Sequence, residues 1–374
     1  MPNSSEVKDA LEQLRRFSIQ FEIDQGANAF AFKAHDDLLD RDVFLKIIYY
    51  SPEAESDLLR EPRVLVQATE CVPKPENLVQ VFGAEIINVA GEQYLCLHME
   101  WIEGASLLSA LAESVIGQMD GVLIARGILH GLSRLHLCRI LHRDLKPANI
   151  VMDGSIPKIA DFGSAAVLPD GAVSVPASRH SALYVPPEGW AAEPYYSTAS
   201  DIYQVGIVLY ELVNGPMETE LRHYLTPKVL RELRAAGRKY DSLDDCDKSQ
   251  LADKGIAQLS SEAGLLLHGR VPRPYFSKKL HRIVNAATKR DPRQRYASAA
   301  EFISKLNQLD IPNWRPKTEI EFTSDNWRGW DWDVSFEGSD VVVRKGQPGT
   351  AKFRKVPNRT FVSLTDAFSF VEEQ

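Results

Sequence analysis

Cysteine is scarce in this chain and its placement is chemically uninformative: Cys71, Cys96, Cys138 and Cys246 are the only four in 374 residues, and no two form a C-x-x-C pair. That scatter argues against a zinc knuckle and a disulfide framework and fits a reducing compartment. Also missing is an apolar run of the ~20 residues that a membrane helix needs. The opening MPNSSEVKDALEQLRRFSIQ is polar and helical in pattern, without the apolar segment of a signal peptide. A cytoplasmic protein with no membrane partner is expected. Nor is there a basic excess: 43 Lys plus Arg stand against 51 Asp plus Glu, a formal net charge of -8, so no overall field draws the chain to nucleic acid. Internal repeats and low-complexity tracts are absent as well.

What is present is the balance of a folded globular protein, 44% hydrophobic and 25% charged. A length of 374 residues exceeds the ~250–300 over which a single core keeps growing, so two domains, or one large domain with an appendage, are expected. Between Phe17 and Glu103 the apolar runs FLKIIYY and YLCLHMEWI read as strands around one helix. From Ser106 to Leu309 the long periodic segments, such as DGVLIARGILHGLSRLHL and STASDIYQVGIVLYELVNG, read as helices, the latter stopped by Asn214-Gly215. Thr226, Pro227 and Gly237 punctuate a helix inside a charge-rich stretch, and Ser298 with Glu301 announces the last helix of this part. From IPNWRP onward the composition shifts: WDWDVSFEGSDVVVRK and AKFRKV show strand-like alternation, SLTDAFSFVEE reads as a short helix, and four of the six tryptophans, Trp314, Trp327, Trp330 and Trp332, lie in this tail. The expected class is α+β, with an N-terminal helical extension at 1–16, a β-rich lobe at about 17–103, a helical lobe at about 104–309 containing an insert at about 217–274, and a tryptophan-rich β-hairpin and helix at 310–374.

The most informative stretch is LHRDLKPANIVM. It places an aspartate (Asp144), a lysine two residues on (Lys146) and an amide three beyond that (Asn149) in one proline-stiffened loop after a long helix. Farther on, KIADFGSA puts Asp161 at the end of an apolar strand. Phosphoryl transfer requires these groups: a base to orient and deprotonate a hydroxyl, a cation for the moving phosphoryl, and hard oxygens for Mg²⁺.

His142-Arg143-Asp144-Leu145-Lys146-Pro147-Ala148-Asn149, Asp161-Phe162-Gly163 and Pro186-Pro187-Glu188 resemble, in order and spacing, the catalytic loop, metal-binding triplet and A-P-E element of eukaryotic-like (Hanks-type) serine/threonine protein kinases. The resemblance runs from about Phe17 to Leu309 and implies a bilobal kinase fold. It implies that Asp144 accepts the substrate hydroxyl proton, that Asn149 and Asp161 hold Mg²⁺ (with Mn²⁺ as a substitute), that Lys146 contacts the γ-phosphate, and that Ser181 braces Asp144 and Lys146. DLKPAN is similar to the serine/threonine-directed form of the loop. DVFLKII resembles the V-A-I-K strand and puts Lys46 on the α- and β-phosphates of ATP. Its implied partner is Glu61, although Pro62 follows directly and pushes Glu61 away from helical geometry; Glu53 and Glu55 read better as acidic residues at a helix start. LHMEWIEGASL resembles the strand entering the hinge, with Met99 at the back of the adenine pocket and the backbones of Glu100 and Ile102 facing the base. Asp201 and Arg295 match positions that anchor the catalytic loop and pair with Glu188, respectively.

IDQGANAFAFKA resembles a phosphate-cradling glycine loop short of glycine. In the better of two registers Ile23 precedes the loop, Asp24, Gly26 and Ala29 take its three glycine positions and Ala31 forms the roof over the base. Only the middle glycine survives, and a carboxylate at Asp24 near polyphosphate is repulsive, so ATP binding weaker than that of a full glycine loop is expected.

Arg143, preceding the catalytic aspartate, goes in the family with control by phosphorylation of the segment that follows Gly163. Two readings stay open: autophosphorylation of Ser178, or of Ser174, pairing with Arg143, and a constitutively ordered segment with solvent-facing serines. In the insert, LRHYLTPKVLRELRAAGRKY offers a basic docking surface, but a solvated face balanced by DSLDD is favoured. For residues 310–374 aromatic packing against the helical lobe is favoured over a partner or autoregulatory contact. The reading as a whole is a kinase transferring phosphoryl from Mg-ATP to protein serines and threonines, with autophosphorylation; a pseudokinase scaffold is the alternative, and a small-molecule phosphotransferase is disfavoured by the activation segment and the P-P-E element.

Overall fold

The computed structural model describes residues 2–23, 30–49, 66, 68, 75–113, 116–177, 181–262, 264, 269–357 and 359–374. Asp24, Gly26, Ala29, Glu53, Glu55, Glu61, Pro62 and Ser178 lie outside the described residues.

Asn3 and Glu6 exchange side-chain and backbone bonds and start helix α1 (Ser4–Gln13). Val7, Ala10 and Leu11, spaced i, i+3, i+4, fall on one face and are buried. That face covers an antiparallel sheet of β1 (Phe17–Ile23), β2 (Phe30–Asp36), β3 (Arg41–Tyr49), β4 (Val81–Val89) and β5 (Glu92–Glu100), in the order β1-β2-β3-β5-β4. The two-residue period divides the sheet. Phe32, Val43, Leu45, Ile47, Tyr94 and Cys96 pack beneath α1, while Lys46 and Met99 face the other way, into a cleft.

Past the hinge come α2 (Leu107–Glu113), α3 (Gln118–Leu137) and short strands β6 (Ile140–Leu141), β7 (Ile150–Asp153), β8 (Ile156–Ile159), β9 (Ala166–Val167), β10 (Val175–Pro176) and β11 (Tyr195–Tyr196). They pair β6 with β9, β7 with β8 and β10 with β11. Helix α4 (Thr198–Asn214) is buried along every face from Ser200 to Val213 and ends at Gly215, whose φ of +88° favours glycine. Helices α5 (Pro227–Ala235), α6 (Asp245–Glu262), α7 (Lys278–Ala287) and α8 (Ala299–Asn307) complete the lobe. Thr226 caps α5 and Ser298 caps α8. The stretch read as an insert is part of this lobe's core: Ile256 and Leu259 of α6 join it, and α6 lies so close to the preceding turn that a β-carbon on Gly255 would sit 1.8 Å from the Tyr224 carbonyl oxygen. Arg222 and Arg238 of its basic stretch are paired with Asp241 and Asp247.

The tail is larger than a hairpin. Strands β12 (Arg315–Pro316), β13 (Glu321–Trp327), β14 (Trp330–Glu337), β15 (Asp340–Gly346) and β16 (Phe353–Lys355) form one sheet in sequence order, followed by α9 (Leu364–Glu373). The two outer strands are two and three residues long, too short to show alternation in sequence. Trp314 and Trp332 are fully buried, and Phe368 of α9 meets Trp314 at 4.8 Å, Phe322 at 5.3 Å and Tyr275 at 6.0 Å between ring centres. The tail also completes the start of α3, where Gly117 supplies no side-chain cap. Gln118 N–H donates to the Trp314 carbonyl at 3.0 Å and Met119 N–H to the Asn313 side chain at 2.8 Å. Truncation after Leu309 is therefore expected to leave the start of α3 uncapped and the apolar surface around Tyr275 uncovered and to yield insoluble protein; a truncated chain with the melting temperature of the full one would refute this.

Candidate active site

A cleft of about 560 Å³ opens between the two lobes, and Ile23, Lys46, Met99, Glu100, Ile102, Lys146, Asn149 and Asp161 all line it. Ala31 is fully buried and pairs with Lys46 across β2 and β3, on the same face of the sheet, and Ile23 and Phe44 line the strand-side wall. Phe44 lies two residues before Lys46, and strand periodicity puts both on the same face, a signal that could have identified it. The Glu100 carboxylate turns to Lys158 on β8 and to the Gln80 amide, tying the hinge to the helical lobe. Neither partner was visible in the sequence, Lys158 lying 58 residues on.

The catalytic loop hangs from α4. Asp201 accepts from the backbone N–H of His142 at 3.0 Å and of Arg143 at 2.8 Å, and its carboxylate also meets His136 Nε2 at 2.8 Å. One turn on, Gln204 accepts from Leu145 N–H at 2.9 Å and donates to the Arg143 carbonyl at 3.1 Å. These bonds hold Arg143 at φ +67°, a left-handed conformation costly for a side-chain-bearing residue. His142 is fully buried, and burial pushes its imidazole below the usual range. Its Nδ1 accepts from Asp144 N–H, so Nε2 carries the proton donated to the Ala160 carbonyl.

Asp144 is 7% exposed. Its Oδ2 accepts from Lys146 Nζ at 2.9 Å and from Asn149 Nδ2 at 3.1 Å, and Asn149 Nδ2 also donates to the Asp144 carbonyl at 2.8 Å. Lys146 Nζ reaches Ser181 Oγ at 2.6 Å. Across the cleft Lys46 Nζ contacts Asp161 Oδ1 at 2.8 Å. Burial alone would raise the Asp161 carboxyl, but the Lys46 ammonium and the Gly163 amide outweigh it and hold the group below the usual carboxylate range. Asp161 too is left-handed, at φ +54°, while Phe162 beside it is buried against His142.

The donor set fits a nucleotide-bound Mg²⁺. Among the described residues there is no cluster of three or more His, Cys, Asp or Glu to form a cage, but Asp161 supplies a carboxylate, and Asn149, whose Nδ2 is committed to Asp144, has its amide oxygen left over. Mg²⁺ commonly takes one or two protein oxygens and completes its shell with phosphates and water.

Beyond the loop, Tyr184 donates to both oxygens of Glu211 at 2.9 Å, and burial pushes the Glu211 carboxyl up to about 7. Glu188 accepts both terminal nitrogens of Arg295 at 2.7 Å and Ser200 Oγ at 2.7 Å. Arg139, which the sequence did not single out, donates to three carbonyls of the segment after Gly163.

Two lobes around such a cleft, with this loop hung from a buried helix, define a protein kinase fold. Residues 17–306 match the family model described as the protein kinase domain, and the chain belongs to that family. Among curated relatives, the serine/threonine-protein kinase drp72 of Corynebacterium efficiens is 29% identical over 206 residues, covering 53% of this chain and 39% of that protein. The serine/threonine-protein kinase PknA of Corynebacterium glutamicum is 30% identical over 217 residues (56% and 45%), and PrkC of Bacillus subtilis is 31% identical over 207 residues (54% and 30%). The match spans less than half the length of each of these relatives. Among the described residues no helix is long and apolar enough to cross a membrane.

Proposed function

We propose that the chain is a serine/threonine protein kinase that transfers the γ-phosphoryl group of ATP to protein hydroxyls. The observation that carries this is the convergence on Lys146, whose ammonium joins Asp144 Oδ2 to Ser181 Oγ beside Asn149. With Oδ2 held by Lys146 and Asn149, Oδ1 of Asp144 receives the proton of the acceptor hydroxyl, whose oxygen bonds to the γ-phosphorus as the bond to the bridging oxygen breaks and ADP leaves. Lys146 offsets charge on the moving phosphoryl, and Lys46 holds the α- and β-phosphates. Met99, Glu100 and Ile102 bound the base at the hinge. Asn149 and Asp161 would hold Mg²⁺, which when bound neutralises charge on the phosphate oxygens. A scaffold that kept the fold without the chemistry would leave the Lys146 contacts with Asp144 and Ser181 without a role.

The test is transfer from γ-labelled ATP to serine- and threonine-containing peptides. Transfer is expected with Mg²⁺, and is expected to stop on chelation and return when the metal is restored. Transfer unaffected by chelation would sink the proposed metal site, and label confined to tyrosine would sink the assigned acceptor.

A further inference from the structure

Arg139 and Arg143 flank β6 on the connection from α3 into the catalytic loop, and both reach the same segment, residues 164–176, through its backbone. Arg143 donates through Nε to the Ser164 carbonyl and through Nη1 to the Pro176 carbonyl at 2.9 Å. Arg139 donates through Nε to the Leu168 carbonyl at 3.3 Å and through Nη2 to the carbonyls of Pro169 and, at 3.3 Å, Ala172. The contact is reciprocal, since Leu168 N–H donates to the Arg139 carbonyl at 2.7 Å while β6 pairs with β9 alongside. Arg139 adopts φ +59°, a conformation that a residue with a side chain keeps only when its surroundings impose it.

We infer that these two guanidinium groups set the course of the activation segment by gripping its carbonyls, so that Arg139 is a positioning residue for the protein substrate and the segment needs no phosphoryl group to be ordered. The inference rests on the kinase reading above.

The chemistry of the grip supports it. A phosphoserine orders a segment by offering oxygens to arginine in one to three charge-assisted bonds; here five carbonyls, spread from Ser164 to Pro176, already accept such bonds from two arginines. Carbonyl acceptors are present whatever the side chains, so the arrangement does not wait on a modification. Ser164 is itself buried, 8% exposed. The segment's far end is fixed independently, by Lys146 on Ser181, Tyr184 on Glu211 and Arg295 on Glu188. With residues 164–176 gripped by the two arginines and residues 181–188 held by these pairs, the bonds of Arg139 and Arg143 to the segment are already made without a phosphate.

The full chain is treated with a protein phosphatase until mass spectrometry finds no phosphate on residues 164–185, and peptide kinetics are compared before and after. The phosphate-free protein is expected to keep its kcat/KM to within about twofold, because the ordering contacts are not phosphate contacts. Arg139→Ala is expected to raise the peptide KM about five- to tenfold through loss of charge-assisted bonds, with the ATP KM and melting temperature unchanged and part of the effect restored in Arg139→Lys. Activity lost only after phosphatase treatment overturns the inference alone, as does an Arg139→Ala variant with unaltered peptide KM. Absence of transfer both before and after treatment overturns the kinase reading and this inference with it.

Discussion

Replacing Asp144 with asparagine is expected to lower kcat by about 10²–10⁴, the range that a positioned general base contributes, while the KM for ATP stays near its wild-type value. The separation follows from the geometry. The loop's course depends on backbone groups: Asp144 N–H on His142 Nδ1, the Asp144 carbonyl on Asn149, and the neighbouring amides on Asp201 and Gln204. None of these involves the Asp144 carboxylate. An asparagine oxygen can still accept from Lys146 and Asn149, but the other terminal atom becomes an NH2 donor where a proton acceptor is needed. The groups proposed to hold the nucleotide, Lys46, Asp161 and Asn149, are untouched, so binding survives where chemistry fails. Residual rate should come from positioning and from Lys146, which is why a complete loss is not expected. Single-turnover transfer from labelled ATP, with nucleotide binding measured separately, checks both halves. A variant within about tenfold of wild type falls below the range for a catalytic base and would remove Asp144 from that role.

The parts of the site that could be read in the sequence were those written locally. Asp144, Lys146 and Asn149 lie within six residues of one another, so one proline-stiffened loop fixes their relation whatever surrounds it. Lys46 and Asp161 are 115 residues apart yet could be found because Lys46 lies within an apolar strand and Asp161 just beyond one, each beside recognisable neighbours. What pattern could not supply was the identity of partners that tertiary packing brings in. Lys158 on Glu100, Arg139 on the carbonyls of residues 168–172 and Asn313 on the start of α3 are contacts between segments whose local sequences do not mention each other. Phe44 was missed for a related reason: the two-residue period gives the face of the sheet but not which side chains on that face line the cleft. For the N-terminus the sequence read as a polar helix without showing that one face of it would cover the sheet; for the tail, aromatic packing on the helical lobe was expected, but not that Asn313 and the Trp314 carbonyl would cap the start of α3.

Arg295→Ala carries the largest expected effect on stability, a loss of about 3–5 kcal/mol, the cost of leaving one member of a buried ion pair behind. The side chain of Arg295 is fully buried and that of Glu188 is 3% exposed, so solvent does little to soften the consequence. Arg295 makes two parallel bonds to Glu188 and further bonds to the carbonyls of Lys289, Arg290 and Ala199, with its guanidinium 4.9 Å from the Tyr203 ring centre. Truncation strands all of these acceptors at once, and the Glu188 carboxylate would keep only Ser200 among its observed side-chain donors. Against a typical domain stability of about 5–15 kcal/mol the loss is a large fraction, and denaturant titration should show it as a lower midpoint. Arg295→Lys should rescue little, because an ammonium cannot match the planar fork that spans the two carboxylate oxygens. A further comparison separates ion-pair worth from desolvation. If the stranded charge is what costs, replacing both partners with apolar residues, Glu188→Leu with Arg295→Met, should destabilise less than the sum of the two single changes. Additive losses would instead mean that each side chain acts through its other contacts. Because Glu188 closes the segment that begins at Asp161, the single variants should also lose activity as that segment loosens, well before the lobe unfolds.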